Sequence, residues 1–246
     1  MAIGAKQMQN NASSSSKVFL GVIVLSGLAV LTTAALHPAS ANLVRFASFL
    51  LVTIAAARLK VKLPGLTGNM SVNLPFILVA AAELSTSEAL AVACLSTFVQ
   101  CLPRRTQKFN LAQVTFNFCN MALAVGATRL VLHSLDSVSG SRALALAISA
   151  AAYLLVNTAP VAIIISLTER KNALNIWAKI FELSFPYFVL SAGVAALVLV
   201  ATNQVGWQPP LLVLPIMFGV FSSYKRYFGS ESAVPRWPLG KAVAAS

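Results

Sequence analysis

The charges in this chain are confined to short stretches, and the gaps between them decide what it can fold into. No Asp, Glu, Lys or Arg falls between Lys17 and Arg45, between Lys108 and Arg129, between Arg142 and Glu169, or from Leu183 to Tyr224. A helix needs about 20 apolar residues to cross the hydrocarbon core of a bilayer. The chain has 246 residues, of which 58% are hydrophobic and 10% charged, where a soluble domain carries roughly 25% charged residues. The expected class is all-α, a polytopic membrane helical bundle.

The net charge of +12 does not point to nucleic acid, because the basic residues form no single patch. They fall in twos and threes between apolar runs: Arg58, Lys60 and Lys62; Arg104, Arg105 and Lys108; Arg170, Lys171 and Lys179; Lys225 and Arg226. Cytoplasmic loops of membrane proteins carry this excess. No nucleic-acid partner is expected, and the lipid bilayer is the first partner. Cys94, Cys101 and Cys119 lack a C-x-x-C spacing and read as small buried hydrophobes. His37 and His133 close apolar runs with no carboxylate or cysteine partner in sequence, so neither a metal nor a cofactor is implied. No nucleophile–base order and no phosphate-cradling glycine loop occurs, and the chain is not expected to be an enzyme.

Residues 1–17 are polar and low in complexity, and are expected to be a disordered cytoplasmic N-terminus. The bundle is expected over 18–224 and a basic cytoplasmic tail over 225–246. Val18 to Leu36 is longer than the 7–15-residue core of a signal peptide, so it reads as an uncleaved first span, although Ala39-Ser40-Ala41 mimics a cleavage site. Further spans are expected at about 42–59, 111–132, 143–167, 181–202 and 210–223, six in all. The stretch at 60–69, with Pro64 and two glycines, reads as an interfacial turn. "TERKNALNIWAK" reads as a cytoplasmic connection, and Trp207 as an interfacial anchor.

Residues 71–102 are too long for one perpendicular span, about 45 Å as a single helix. Ser85-Thr86-Ser87-Glu88 fits the capping box, with Ser85 as N-cap and Glu88 reaching back to its amide, so a second helix should start at Thr86. Glu83 then falls at the end of the preceding helix, where a negative charge opposes the dipole. The charge count gives an independent test. If 71–102 is a hairpin that returns to its starting side, fifteen Lys and Arg lie on one side and only Arg45, Arg129 and Arg142 on the other. A single crossing would give seven against eleven. The positive-inside bias selects the hairpin, with both termini cytoplasmic and the bundle in the cell inner membrane. Arg45 and Arg129 are expected to reach lipid headgroups.

Polar residues inside the apolar runs are the candidate site. Gln113, Asn117 and Asn120 are spaced four and three apart and fall within about 60° on one helix face. Asn157, just before Pro160, adds an amide in the next span. These residues either join helices or line a cavity for a small ligand. Glu83 and Glu88 are candidates of the same kind, with capping and solvation of a turn as their simpler role.

Three stretches, "RLKVKLPGLTGNMSVNLPFILVAAAEL", "EALAVACLSTFVQCLPRR" and "FNLAQVTFNFCNMALAVGA", carry a resemblance. Their order is similar to the multi-helix membrane-associated sensor regions at the N-terminus of bacterial cyclic-di-GMP enzymes and related signalling proteins. Ser71, Arg104, Arg105, Phe116 and Asn117 match best, and the stretches around Asn157 and up to Phe228 are similar too. More distantly, the helix order resembles the substrate-binding components of vitamin transporters. Two departures stand out. Glu83-Leu84-Ser85 replaces the Gly-Pro of the sensor regions, and eighteen residues follow Phe228 where those regions lead into an output domain. The resemblance therefore implies a bundle that senses an unknown small ligand and signals through a separate protein. The alternatives are a solute-capture component needing an energising transport subunit, and a structural or assembly membrane protein.

Overall fold

The computed structural model describes residues 14–36, 42–62, 69–102, 110–136, 141–206 and 209–231. Eight helices and one short strand pair make up these residues: α1 (Ser14–Ala35), α2 (Leu43–Arg58), β1 (Lys60–Lys62), β2 (Asn69–Ser71), α3 (Leu74–Glu83), α4 (Thr86–Cys101), α5 (Leu111–Asp136), α6 (Arg142–Glu169), α7 (Ala173–Val205) and α8 (Pro209–Glu231). The bundle is helical as expected. The exception is β1 and β2, which pair antiparallel with Lys60 opposite Ser71. Val72 N–H donates to Leu59 O at 3.2 Å and extends the ladder by one bond.

Four helices, α1, α5, α6 and α7, are long and apolar enough to cross a membrane. α2 has 16 residues, about 24 Å at 1.5 Å per residue, and Val213–Ser223 is a shorter apolar stretch within α8. Among the described residues, four of the six expected spans thus have the length and composition to cross. α1 starts at Ser14, so the expected disordered segment overlaps the helix by four residues (14–17). The expected connection before the fifth span also contracts. Arg170 turns the chain at φ 54° and ψ 40°, and Asn172 caps α7 by accepting from the N–H groups of Leu174 and Asn175. Most of "TERKNALNIWAK" is therefore helix. The segments holding Ala39-Ser40-Ala41, Arg104 and Arg105, and Trp207 lie outside the described residues.

The hairpin forms the centre of the bundle. α3 is apolar around its whole circumference, as a helix must be when neighbours surround it, and Leu74 through Ala81 are all buried. It packs on α7, α4, α5 and α2. Its 10 residues reach about 15 Å, and the 16 of α4 about 24 Å, both short of a ~30 Å hydrocarbon core. The arms run antiparallel, because Asn73 at the start of α3 donates to Ser96 near the end of α4. The hairpin therefore comes back to the end of the bundle where it started.

Outside this centre, helices approach through small residues. α1 buries Ser16, Ile23, Gly27 and Ala34 and lies on α5. A Cβ on Gly27 would sit 2.6 Å from Cβ and 2.8 Å from Cα of Cys119, so only glycine permits this crossing. The outward faces carry large apolar side chains such as Leu25, Leu130, Leu197 and Val200, all exposed, as lipid contact requires.

Candidate functional site

The two ends of the hairpin are each clasped by neighbouring helices. At the base, α3 starts at Asn73, whose side chain makes no cap bond, with Pro75 in the first turn. The first N–H groups of a helix lack intrahelical partners, and here one of them is met from across the bundle. Leu74 N–H donates to the Tyr187 hydroxyl at 3.2 Å, and that hydroxyl donates to Ser71 O at 2.9 Å. Ser71 Oγ donates to Asn73 Oδ1 at 2.6 Å, Asn73 Nδ2 to Ser96 Oγ at 3.3 Å, and Ser96 Oγ to Ala93 O at 2.9 Å. Ser71, Asn73, Ser96 and Tyr187 are all buried. A continuous neutral network thus joins β2, α3, α4 and α7. Lys60 Nζ also donates to Gln100 O, tying the strand pair to the end of α4.

At the tip, α3 stops at Glu83 and α4 starts at Thr86. The expected capping box is present. Ser85 Oγ accepts from Glu88 N–H at 3.3 Å, and Glu88 Oε2 accepts from Ser85 N–H at 3.0 Å and from Ser85 Oγ at 2.7 Å. Glu88 is buried with its carboxylate turned onto the cap.

Glu83 has a larger part than solvating a turn. Its Oε2 lies 2.6 Å from Arg45 Nη2 on α2, and its Oε1 lies 3.0 Å from Arg142 Nη2 on α6. Arg129, on α5, donates from Nη1 to Ala81 O at 2.6 Å and to Leu84 O at 2.7 Å. Carbonyls in the last turn of a helix lack partners, and a cation there favours the dipole. Arg129 supplies both, which offsets the unfavourable position of Glu83. Arg45 and Arg129, expected to reach headgroups, are bonded to the hairpin tip.

The amide stripe of α5 is only partly brought together. Asn120 is buried, and its Nδ2 donates to the main-chain carbonyl of Asn157 on α6 at 3.0 Å. Pro160 has no N–H to give Val156 O, four residues before it, and crowds that turn; Asn120 bonds to the next carbonyl along. Asn120 Oδ1 is buried without a hydrogen-bond partner. Asn117 Nδ2 donates to Cys101 Sγ at 3.4 Å. Gln113 is exposed in the first turn of α5, where its main-chain N–H donates to Asn110 Oδ1 at 3.3 Å. It does not converge with the others, because the helix has not yet entered the bundle at that position.

A family model, MASE9, matches residues 48–226. The chain belongs to the MASE9 family of membrane-associated sensor domains. No curated protein and no solved structure matches it. The MASE9 segment contains both hairpin arms, Arg129, Arg142 and Tyr187. α1 and Arg45 precede it.

Sequence reasoning missed Tyr187 and the joint role of the arginines. For Tyr187 the chain offers no local signal beyond its place next to Pro186. For the arginines a signal existed. The charge count had already placed Arg45, Arg129 and Arg142 together with Glu83 on one side of the bundle, and opposite charges gathered at one end of a small bundle tend to pair.

Proposed function

We propose that this MASE9 bundle is a non-enzymatic input module. It binds a small ligand at or beside the hairpin and passes its state to a separate signalling protein. The observation that carries this reading is the suspended hairpin: a half-length helix, buried on all sides, held at its two ends by groups on α2, α5, α6 and α7. A change at either clasp moves a helix that touches most of the bundle. In this reading α2 and α8 also cross, completing six passes in the inner membrane, with the basic loops and both termini in the cytoplasm.

Two measurements test the proposal. Single cysteines on a cysteine-free background should label from the cytoplasm at position 171 and not at 87, and external labelling at 171 would reject the orientation. Purification from native membranes in mild detergent, with identification of co-purifying proteins and small molecules, should recover a signalling enzyme. Recovery of an ATPase with a coupling membrane subunit would replace sensing by solute capture.

A further inference from the structure

We infer that the arginine cluster at the hairpin tip is a binding site for an oxyanion of the phosphate type, free or carried on a lipid headgroup. Three guanidiniums meet here, each with five N–H donors in a planar fork. They make four hydrogen bonds, two to Glu83 and two to the carbonyls of Ala81 and Leu84. Arg45 Nε is buried and has no partner. The Arg142 side chain is 46% exposed and that of Arg45 25%, against 11% for Glu83. The Arg142 and Arg45 side chains are thus more open than the carboxylate these two share, which faces in.

Charge points the same way. Among the described side chains here, Arg45, Arg129 and Arg142 stand against Glu83 and Glu88, leaving an excess of positive charge even with Glu88 counted. Guanidinium forks match phosphate oxygens in geometry, and such bonds are stronger than neutral ones. The location suits an anion at the membrane surface. Arg45 is the third residue of α2, Arg142 the first of α6, and Arg129 lies two turns before the end of α5, so the cluster sits at one end of the bundle. An anion on Arg45 and Arg142 would bridge α2 and α6 beside Glu83. Calling that anion an input rests on the sensor reading, whereas its binding does not.

The test uses the full chain in maltoside detergent stripped of phospholipid, followed by thermal unfolding. Inorganic phosphate should raise Tm in a saturating manner that chloride at matched ionic strength does not reproduce. Arg142→Gln should weaken this binding by about ten- to hundredfold, the loss of one charge-assisted hydrogen bond. Lys179→Gln, at an exposed position on another helix, should leave it unchanged. In a parallel arm, phosphatidylglycerol is added back and bound lipid is counted by native mass spectrometry. Response to phosphate identifies a soluble oxyanion, and response to the lipid alone identifies a headgroup. If Arg142→Gln folds and responds like the parent in both arms, the site is rejected. If Arg142→Gln does not fold, Arg142→Lys keeps the charge and loses the fork: it should bind more weakly than the parent, and equal binding would overturn the assignment. Partner capture, measured separately, can fail or succeed independently of these outcomes.

Discussion

The base and the tip of the hairpin are held by different chemistry. In the base network around Tyr187 every partner is neutral and buried, with Lys60 alone adding a charge at its edge, and the Tyr187 hydroxyl satisfies two main-chain groups at once. At the tip the partners are charged and partly wet, with Arg142 nearly half exposed. A dry neutral bond cannot be replaced by water when one partner is lost, so the orphaned group bears its full desolvation cost. A charged contact at the membrane surface has water, salt and headgroups as substitutes. The base is thus suited to fix the hairpin and the tip to adjust it.

The largest expected effect is at the base. Tyr187→Phe leaves Leu74 N–H and Ser71 O without this partner. Each such buried orphan costs about 1–3 kcal/mol, so we expect about 3 kcal/mol of lost stability in detergent unfolding, with little dependence on salt. Parent-like stability would mean that water reaches the base and that the two ends do not differ. Glu83→Gln sharpens the contrast from the other side. It removes the charge shared by Arg45 and Arg142, and we expect a loss of about 1–2 kcal/mol at low salt that shrinks as salt rises. A salt-independent loss would place the tip in the same dry class as the base. A double-mutant cycle of Glu83→Gln with Arg45→Gln isolates the pair itself.

Local and counted features of the hairpin were legible in the sequence, and long-range ones were not. The capping box is a four-residue pattern whose geometry depends on Ser85 and Glu88 alone, so its helix start at Thr86 could be read directly. The return of the hairpin followed from the asymmetry of basic residues, which is a sum over the chain and needs no contacts. The clasp joins Arg45, Glu83, Arg129 and Arg142, residues from four helices, and no local spacing encodes that meeting. The amide stripe shows the limit of a helical wheel. It gives the face of Gln113, Asn117 and Asn120 but not the depth at which α5 enters the bundle, so Gln113 is exposed. The β1–β2 pair went unread because three-residue strands carry too few residues to show a period.

A smaller effect tests whether the tip's own turn is rigid. Ser85→Ala removes the acceptor for Glu88 N–H and one donor to the Glu88 carboxylate, and an N-cap of this kind contributes about 0.5–2 kcal/mol, typically ~1. The loss should appear in thermal unfolding with cysteine labelling at positions 87 and 171 unchanged. Altered labelling would mean that the cap sets the path of the chain and not only its stability.

The smallest expected effect lies away from both clasps, at Asn120. Asn120→Leu deletes one interhelical bond to Asn157 O, and such bonds in membranes average about 0.6 kcal/mol in double-mutant cycles. The same substitution also removes Oδ1, a buried acceptor without a partner, so the net change in melting should be at or below that size. An acceptor left open in a buried position is suited to a donor on a ligand. On the sensor reading, small-molecule capture per folded molecule should then fall in Asn120→Leu by about five- to hundredfold in affinity, the cost of one unmade bond, while Tyr187→Phe lowers the folded fraction without changing capture by what remains folded. Measuring melting and capture on the same samples separates the two. If Asn120→Leu captures like the parent, Asn120 only joins α5 to α6 beside Pro160, and the ligand must be sought at the tip.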